Sequence, residues 1–179
     1  MTHRLFVAIR PPAPVRAAML AEMYGIEGAR WQDDDQLHLT LRYVGEVDRH
    51  RAEDLALALG SLGGRRFRLS LRGTGVFERK GVVHTLWAGI EPCPELTALQ
   101  ARIERCCQSV GFIPETRKFS PHVTLARLNA SSGPVAPFLS RTGDIRLGEW
   151  EVDSYLLYES HLRPEGSLYL PITTYPLAG

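Results

Sequence analysis

Residues 37–43, LHLTLRY, and residues 122–128, HVTLARL, each alternate apolar and polar side chains as a half-buried strand does. Side chains two apart on a strand share a face. His38 and Thr40 therefore point one way while Leu37, Leu39 and Leu41 point the other. His122 and Thr124 stand in the same relation to Val123 and Leu125. One His-x-Thr strand is an ordinary accident of composition. Two of them carry information when the chain around them repeats as well.

The surrounding chain does repeat. Residues 5–9, LFVAI, are followed by Pro11, Pro12 and Pro14, and residues 86–90, LWAGI, by Pro92 and Pro94. Leu5 to Leu86 is an offset of 81 positions and His38 to His122 one of 84, so two segments recur in one order and nearly in register. Helical composition covers residues 15–24, 51–59 and 95–110, with stops at Gly25, Gly60 and Gly111, and a shorter helix fits residues 134–139. Residues 67–71, 145–150, 154–159 and 168–173 read as further strands, and the acidic residues 33–35 as a solvated turn. The expectation is an α+β fold of two pseudo-symmetric lobes, each an antiparallel sheet with outer helices, facing a central cleft. The chain would be a single bilobal domain over residues 1–179, its duplicated unit spanning roughly 4–83 and 84–179.

Composition narrows the function. The chain has 179 residues, 44% hydrophobic and 23% charged, with 21 basic against 20 acidic side chains and a formal net charge of +1. A protein that grips a long phosphate backbone carries a basic excess, so a local pocket for an end or a nucleotide fits better. Cys93, Cys106 and Cys107 are an odd number, and the adjacent pair diverges on a helix, which suits buried thiols in a reducing compartment. No run approaches the ~20 apolar residues of a membrane span, and no leader pattern opens the chain. These features place the protein in the cytoplasm.

Two opposed His-x-Thr faces suit phosphodiester chemistry. In-line displacement at phosphorus needs one group to take a proton from the nucleophile and another, opposite, to give one to the leaving oxygen. Histidine, with an unperturbed pKa of about 6.5, fills either role near neutrality. Threonine hydroxyls donate to the non-bridging oxygens. The scheme needs no metal or other cofactor, and no His-Glu-x-x-His or cysteine cluster supplies a zinc set.

At these residues the chain resembles the 2H phosphoesterases, named for paired His-x-Thr motifs, and more closely the RNA 2′,3′-cyclic phosphodiesterases, also called 2′-5′ RNA ligases. The resemblance runs from RLFVAI through RWQDDDQLHLTLRYVGEV, LWAGI and RKFSPHVTLARL to LYES at residues 157–160. It implies hydrolysis of a terminal 2′,3′-cyclic phosphate to a 2′-phosphate. His38 would be the proton donor, His122 the proton acceptor, and Thr40 and Thr124 the phosphate ligands. Arg127 matches the arginine closing the second motif, yet stands five positions from His122, the wrong parity unless a bulge redirects it. Arg42 has the right parity with His38 but reads as solvated at the strand's end. His84 stands where relatives commonly carry an arginine.

The remaining histidines, His3, His50 and His161, have no repeated partner and read as surface or structural, as does His84. Phe6, Trp31 and Phe119 lie near the motifs and read as core residues with a secondary capacity to stack on a base. Partners would be RNA ends or nucleotides bearing a 2′,3′-cyclic phosphate, with no membrane, no protein partner and a monomeric state. Two other readings stay open. One is the same chemistry on small cyclic nucleotides, with weak 2′-5′ ligation by reversal. The other is a non-catalytic nucleotide-binding module of the same fold.

Overall fold

The computed structural model describes residues 1–179. Nine strands and four α-helices follow in the order β1 (Thr2–Ile9), α1 (Ala13–Ala21), β2 (Arg30–Trp31), β3 (Leu39–Asp48), α2 (Arg49–Gly60), β4 (Phe67–Arg79), β5 (Val82–Ile90), α3 (Pro94–Ser109), β6 (His122–Arg127), α4 (Ala136–Thr142), β7 (Arg146–Val152), β8 (Ser154–Arg163) and β9 (Gly166–Pro176). Each longer element expected from the periodicity is present. β4 runs on past its apolar residues 67–71 because the glycines inside it serve packing, not termination. At Gly75 an added Cβ would stand 2.3 Å from the Trp87 ring, so only glycine lets β4 pass beneath that indole. The β4–β5 hairpin turns instead at Lys80-Gly81, both with positive φ, as a two-residue turn between paired Arg79 and Val82 demands.

All strand pairings are antiparallel, in the order β7-β4-β5-β6-β3-β1-β8-β9, with β2 added to β6. The two sheets expected as lobes meet edge to edge in one curled sheet, joined between β3 and β6 by the single bridge Leu39–Val123. β4 pairs with β5 and β7, while β8 pairs with β1 and β9, so each half-sheet contains strands from both halves of the sequence.

The helices cover one face. Leu96, Leu99, Ile103 and Cys106 form the buried stripe of α3, Leu55 and Leu59 that of α2, and Val15 and Met19 that of α1. They join Leu5, Val7, Leu39, Leu41, Val123 and Leu125 in one hydrophobic cluster. The other face carries a separate small cluster of Phe6, Ala8 and Tyr158. It is the face on which the motif side chains stand. No helix is long and apolar enough to cross a membrane.

Candidate active site

The Leu39–Val123 bridge fixes the site. In an antiparallel pair the residues flanking a bridge are also opposed, so His38 falls opposite Thr124 and Thr40 opposite His122. Leu39 and Val123 are fully buried on the helix side, while all four motif side chains are half-buried on the open face. The imidazoles occupy diagonal corners of this rectangle.

Beyond the threonines both strands bulge at the same motif position. β3 pairs Thr40 with Ala8 and Arg42 with Val7, skipping Leu41, and β6 pairs Thr124 with Trp87 and Ala126 with Leu86, skipping Leu125. One extra residue reverses which side chains face which way. Arg127 therefore rejoins the His122 face and is exposed, resolving its parity. Its Nη1 donates to Thr85 Oγ1 at 2.9 Å. Tyr43, 48% exposed, is its counterpart on β3, a residue strict alternation assigns to the core side.

The same bulge overturns the reading of Arg42 as a solvated strand end. Arg42 is 7% exposed and turned into the helix layer, where Nε donates to Glu104, Nη1 to Tyr43 O at 2.7 Å and Nη2 to Ile113 O at 2.6 Å. The acidic turn is likewise more than solvated. Asp33 and Gln36 form a capping box around a single 3-10 turn, and Asp34 accepts from Arg16 at 2.8 Å. Arg10 donates to the carbonyls of Asp34 and Leu37, 2.7 Å each, bracing the backbone that delivers His38.

The two histidines are held alike. Nδ1 of His38 lies 2.7 Å from Gln36 O, and Nδ1 of His122 lies 2.7 Å from Ser120 O. A carbonyl only accepts, so Nδ1 carries the proton in both rings and Nε2 is the nitrogen free to exchange one. Burial pushes the His38 pKa down to about 4, with the charges of Arg10, His122 and Arg127 adding to it and the Gln36 carbonyl opposing. Burial also lowers His122, with Arg127 adding and the Ser120 carbonyl opposing. Both rings are thus neutral at pH 7 in the unliganded site. Aromatic rings wall them in: Phe6 and Tyr169 stand 4.9 and 5.0 Å from His38, and Phe77 stands 4.9 Å from His122.

A cavity opens at each end of the rectangle. The one at the Thr40–His122 end, about 340 Å³, is lined by Tyr43, Phe77 and Phe119 with Arg117 and Lys118. The one at the Arg127 end, about 260 Å³, is lined by Gln36 and Tyr169 with Arg30 and Arg127. Phe6 forms the floor under His38, whereas Trp31 packs on Phe138, 5.7 Å between centroids, and also lines the Arg127-end cavity.

The other histidines lie elsewhere. His3 and His161 both reach Glu159, at 2.9 and 2.8 Å, and His50 is exposed on α2. His84 Nδ1 bonds Thr85 Oγ1 at 2.8 Å, the same hydroxyl that accepts from Arg127, so it supports that arginine indirectly. Cys106 and Cys107 are buried, and burial pushes the Cys107 thiol up to about 12. No group of three or more His, Cys, Asp or Glu side chains is placed to hold a metal ion.

The fold is that of known phosphoesterases. A solved phosphoesterase superposes over 100% of both chains with a TM-score of 0.85 at 27% identity. E. coli LigT complexed with 3′-AMP does so over 100% of both chains, with a TM-score of 0.82 at 28% identity. The sequence pattern of the 2′-5′ RNA ligase superfamily matches residues 11–163, and the chain belongs to that superfamily, the 2H phosphoesterases. Its relatives include the RNA 2′,3′-cyclic phosphodiesterase of Aeropyrum pernix, 36% identical over 76% of this chain and 80% of the relative. The enzyme of the same name from Thermus thermophilus is 34% identical over 98% of this chain and 91% of the relative.

Proposed function

We propose that the chain hydrolyses the 2′,3′-cyclic phosphate of an RNA end to a 2′-phosphate, in the cytoplasm and without a cofactor. The carrying observation is the rectangle over the Leu39–Val123 bridge, with two imidazoles at diagonal corners and both Nδ1 atoms committed to carbonyls. The names of the Aeropyrum and Thermus relatives support the substrate. His122 Nε2 takes a proton from water as its oxygen attacks phosphorus. The P–O3′ bond breaks, and the departing O3′ takes the proton of His38 Nε2. Thr40 and Thr124 donate to the non-bridging oxygens, Arg127 offsets their charge, and the aromatic cavity beside Tyr43 suits the base. The chain acts as one two-lobed domain whose repeated units exchange strands.

Product identification on nucleoside 2′,3′-cyclic phosphates tests this. A 2′-phosphate is expected; a 3′-phosphate reverses the regiochemistry, and binding without turnover overturns the hydrolytic reading. Arg127→Gln is expected to lower kcat/KM about 10–100-fold, the worth of one charge-assisted hydrogen bond to the phosphate, measured by initial rates at fixed pH.

The reaction needs one histidine charged and one neutral, and the free-site pKa values set where that state is most populated. With His38 at about 4 and His122 below its usual 6.5, both are neutral above pH 6.5, and a single proton enters only as the pH falls. The kcat/KM profile, which reports the free enzyme, is therefore expected to peak on the acid side of pH 6.5. Bound phosphate is an anion and raises both pKa values, so the kcat optimum is expected at higher pH than that of kcat/KM. Coincident optima would contradict this.

A further inference from the structure

β2 is only two residues long, yet it places Arg30 directly opposite Arg127 on β6. Residues paired in this way point to the same side, and like charges directly opposed destabilise a strand pair. Nothing in the fold neutralises this pair. Both side chains are exposed, neither forms an ion pair with a carboxylate, and the one side-chain bond between them and the rest of the protein is from Arg127 to a neutral threonine. Glu165, the one carboxylate lining their cavity, is engaged 3.5 Å away with Arg163. The rest of the lining is uncharged: Trp31, Gln32, Gln36, Gly166, Ser167 and the Tyr169 ring, which also contacts His38. Gln36 in turn donates to Ser167 O at 3.0 Å, tying the β8–β9 hairpin to the wall of this cavity.

We propose that Arg30 forms a subsite for a second phosphate, one nucleotide away from the reactive one. This rests on the reading of the cleft as a cyclic phosphodiesterase site and adds which substrates it prefers. A terminal cyclic phosphate carries a single negative charge, which Arg127 and the two threonines match. A second guanidinium standing beside Arg127 on a neighbouring strand is surplus to that charge and close enough to meet the next phosphate on the same molecule. A guanidinium offers a planar fork of donors that fits phosphate oxygens. The ligand class is a nucleotide bearing both a cyclic phosphate and a further phosphate, whether the internucleotide link of an RNA end or a 5′-terminal phosphate.

The test compares three substrates: adenosine 2′,3′-cyclic phosphate, its 5′-phosphorylated form, and a dinucleotide ending in the cyclic phosphate. The parent protein is expected to favour the two with a second phosphate. Arg30→Gln is expected to cost about tenfold more kcat/KM on those two than on the simple nucleoside, chiefly through KM. A response by the dinucleotide alone assigns the subsite to the internucleotide phosphate, and a response by both assigns it to either source. Equal losses on all three substrates, or none on any, overturn the proposal. Titration of adenosine 2′,5′-bisphosphate against adenosine 2′-phosphate makes the same comparison without turnover. If the parent fails to hydrolyse all three substrates, the hydrolytic reading falls. The subsite then stands or falls on whether Arg30→Gln removes the bisphosphate's affinity advantage.

Discussion

Replacing His38 or His122 by alanine is expected to lower turnover of a 2′,3′-cyclic phosphate by about 10²–10⁴-fold, the usual worth of a positioned acid or base. Each ring is half-buried at the start of its strand and bonds the protein through one Nδ1–carbonyl contact, so its removal leaves the strand register intact. Circular dichroism and the unfolding midpoint should therefore change little while the rate collapses. The double variant is expected to be hardly slower than the worse single one, because an acid without its base completes no proton transfer and the two act as a unit. Replacement by glutamine keeps a polar side chain but exchanges no proton near neutrality, and is expected to be as inactive as alanine. A His38 or His122 variant that hydrolysed the substrate at the parent's rate would sink the two-histidine mechanism, whatever the fold does.

The parts of this arrangement legible in the sequence are those governed by short-range periodicity. A strand's two-residue period paired each histidine with a threonine, and the repeat put both pairs into corresponding strands. The parts that were not legible depend on bulges. An extra residue at Leu41 and another at Leu125 reverse the facing of everything beyond them, and apolar alternation gives no sign of it, since a leucine fits either register. For that reason Arg127 carries the wrong parity on paper, Arg42 is misread as solvated, and Tyr43 escapes notice. The sequence could have hinted at it, for Tyr43 and Arg127 each stand five residues beyond their histidine. Strand exchange between the half-sheets is also invisible to local pattern. The pairing of β7 with β4 and of β8 with β1 is decided by which edges remain open once β1, β3, β6 and the β4–β5 hairpin are placed. Arg30 was hidden for a similar reason, since two residues give no periodicity and β2 exists only through its pairing with β6.

Glu104→Ala is expected to cost about 3–5 kcal/mol of stability, the typical penalty for stranding one member of a buried ion pair. Arg42 and Glu104 side chains are 7% and 15% exposed, so the guanidinium left behind has little access to water. Its two remaining bonds, to the carbonyls of Tyr43 and Ile113, satisfy donors but do not balance its charge. Glu104 also accepts from Gln108 Nε2 at 2.7 Å and from the backbone N–H of Glu115 at 3.1 Å, so the substitution frees the chain leading to His122. For a domain of this size the loss corresponds to a fall of about 6–20 °C in Tm. Burial raises the Glu104 pKa, but the bonds from Gln108, Arg42 and Glu115 outweigh it and hold the carboxyl below its ordinary value. The pair's contribution is then fully present above the unfolded carboxylate pKa and disappears as the pH falls through the lower folded value. The difference in stability between parent and Glu104→Ala should narrow over that acid window. The second bulge shows that the ion pair is not demanded by the backbone, because Ala126, fully buried, occupies the place equivalent to Arg42. Converting both residues at once, to Arg42→Met with Glu104→Leu, is therefore expected to recover most of the loss, since apolar replacements of similar volume strand no charge. Denaturant midpoints at unchanged slope decide it. A single variant within about 1 kcal/mol of the parent, or a double variant no better than the single, would show that the pair does not carry the energetic role its burial assigns.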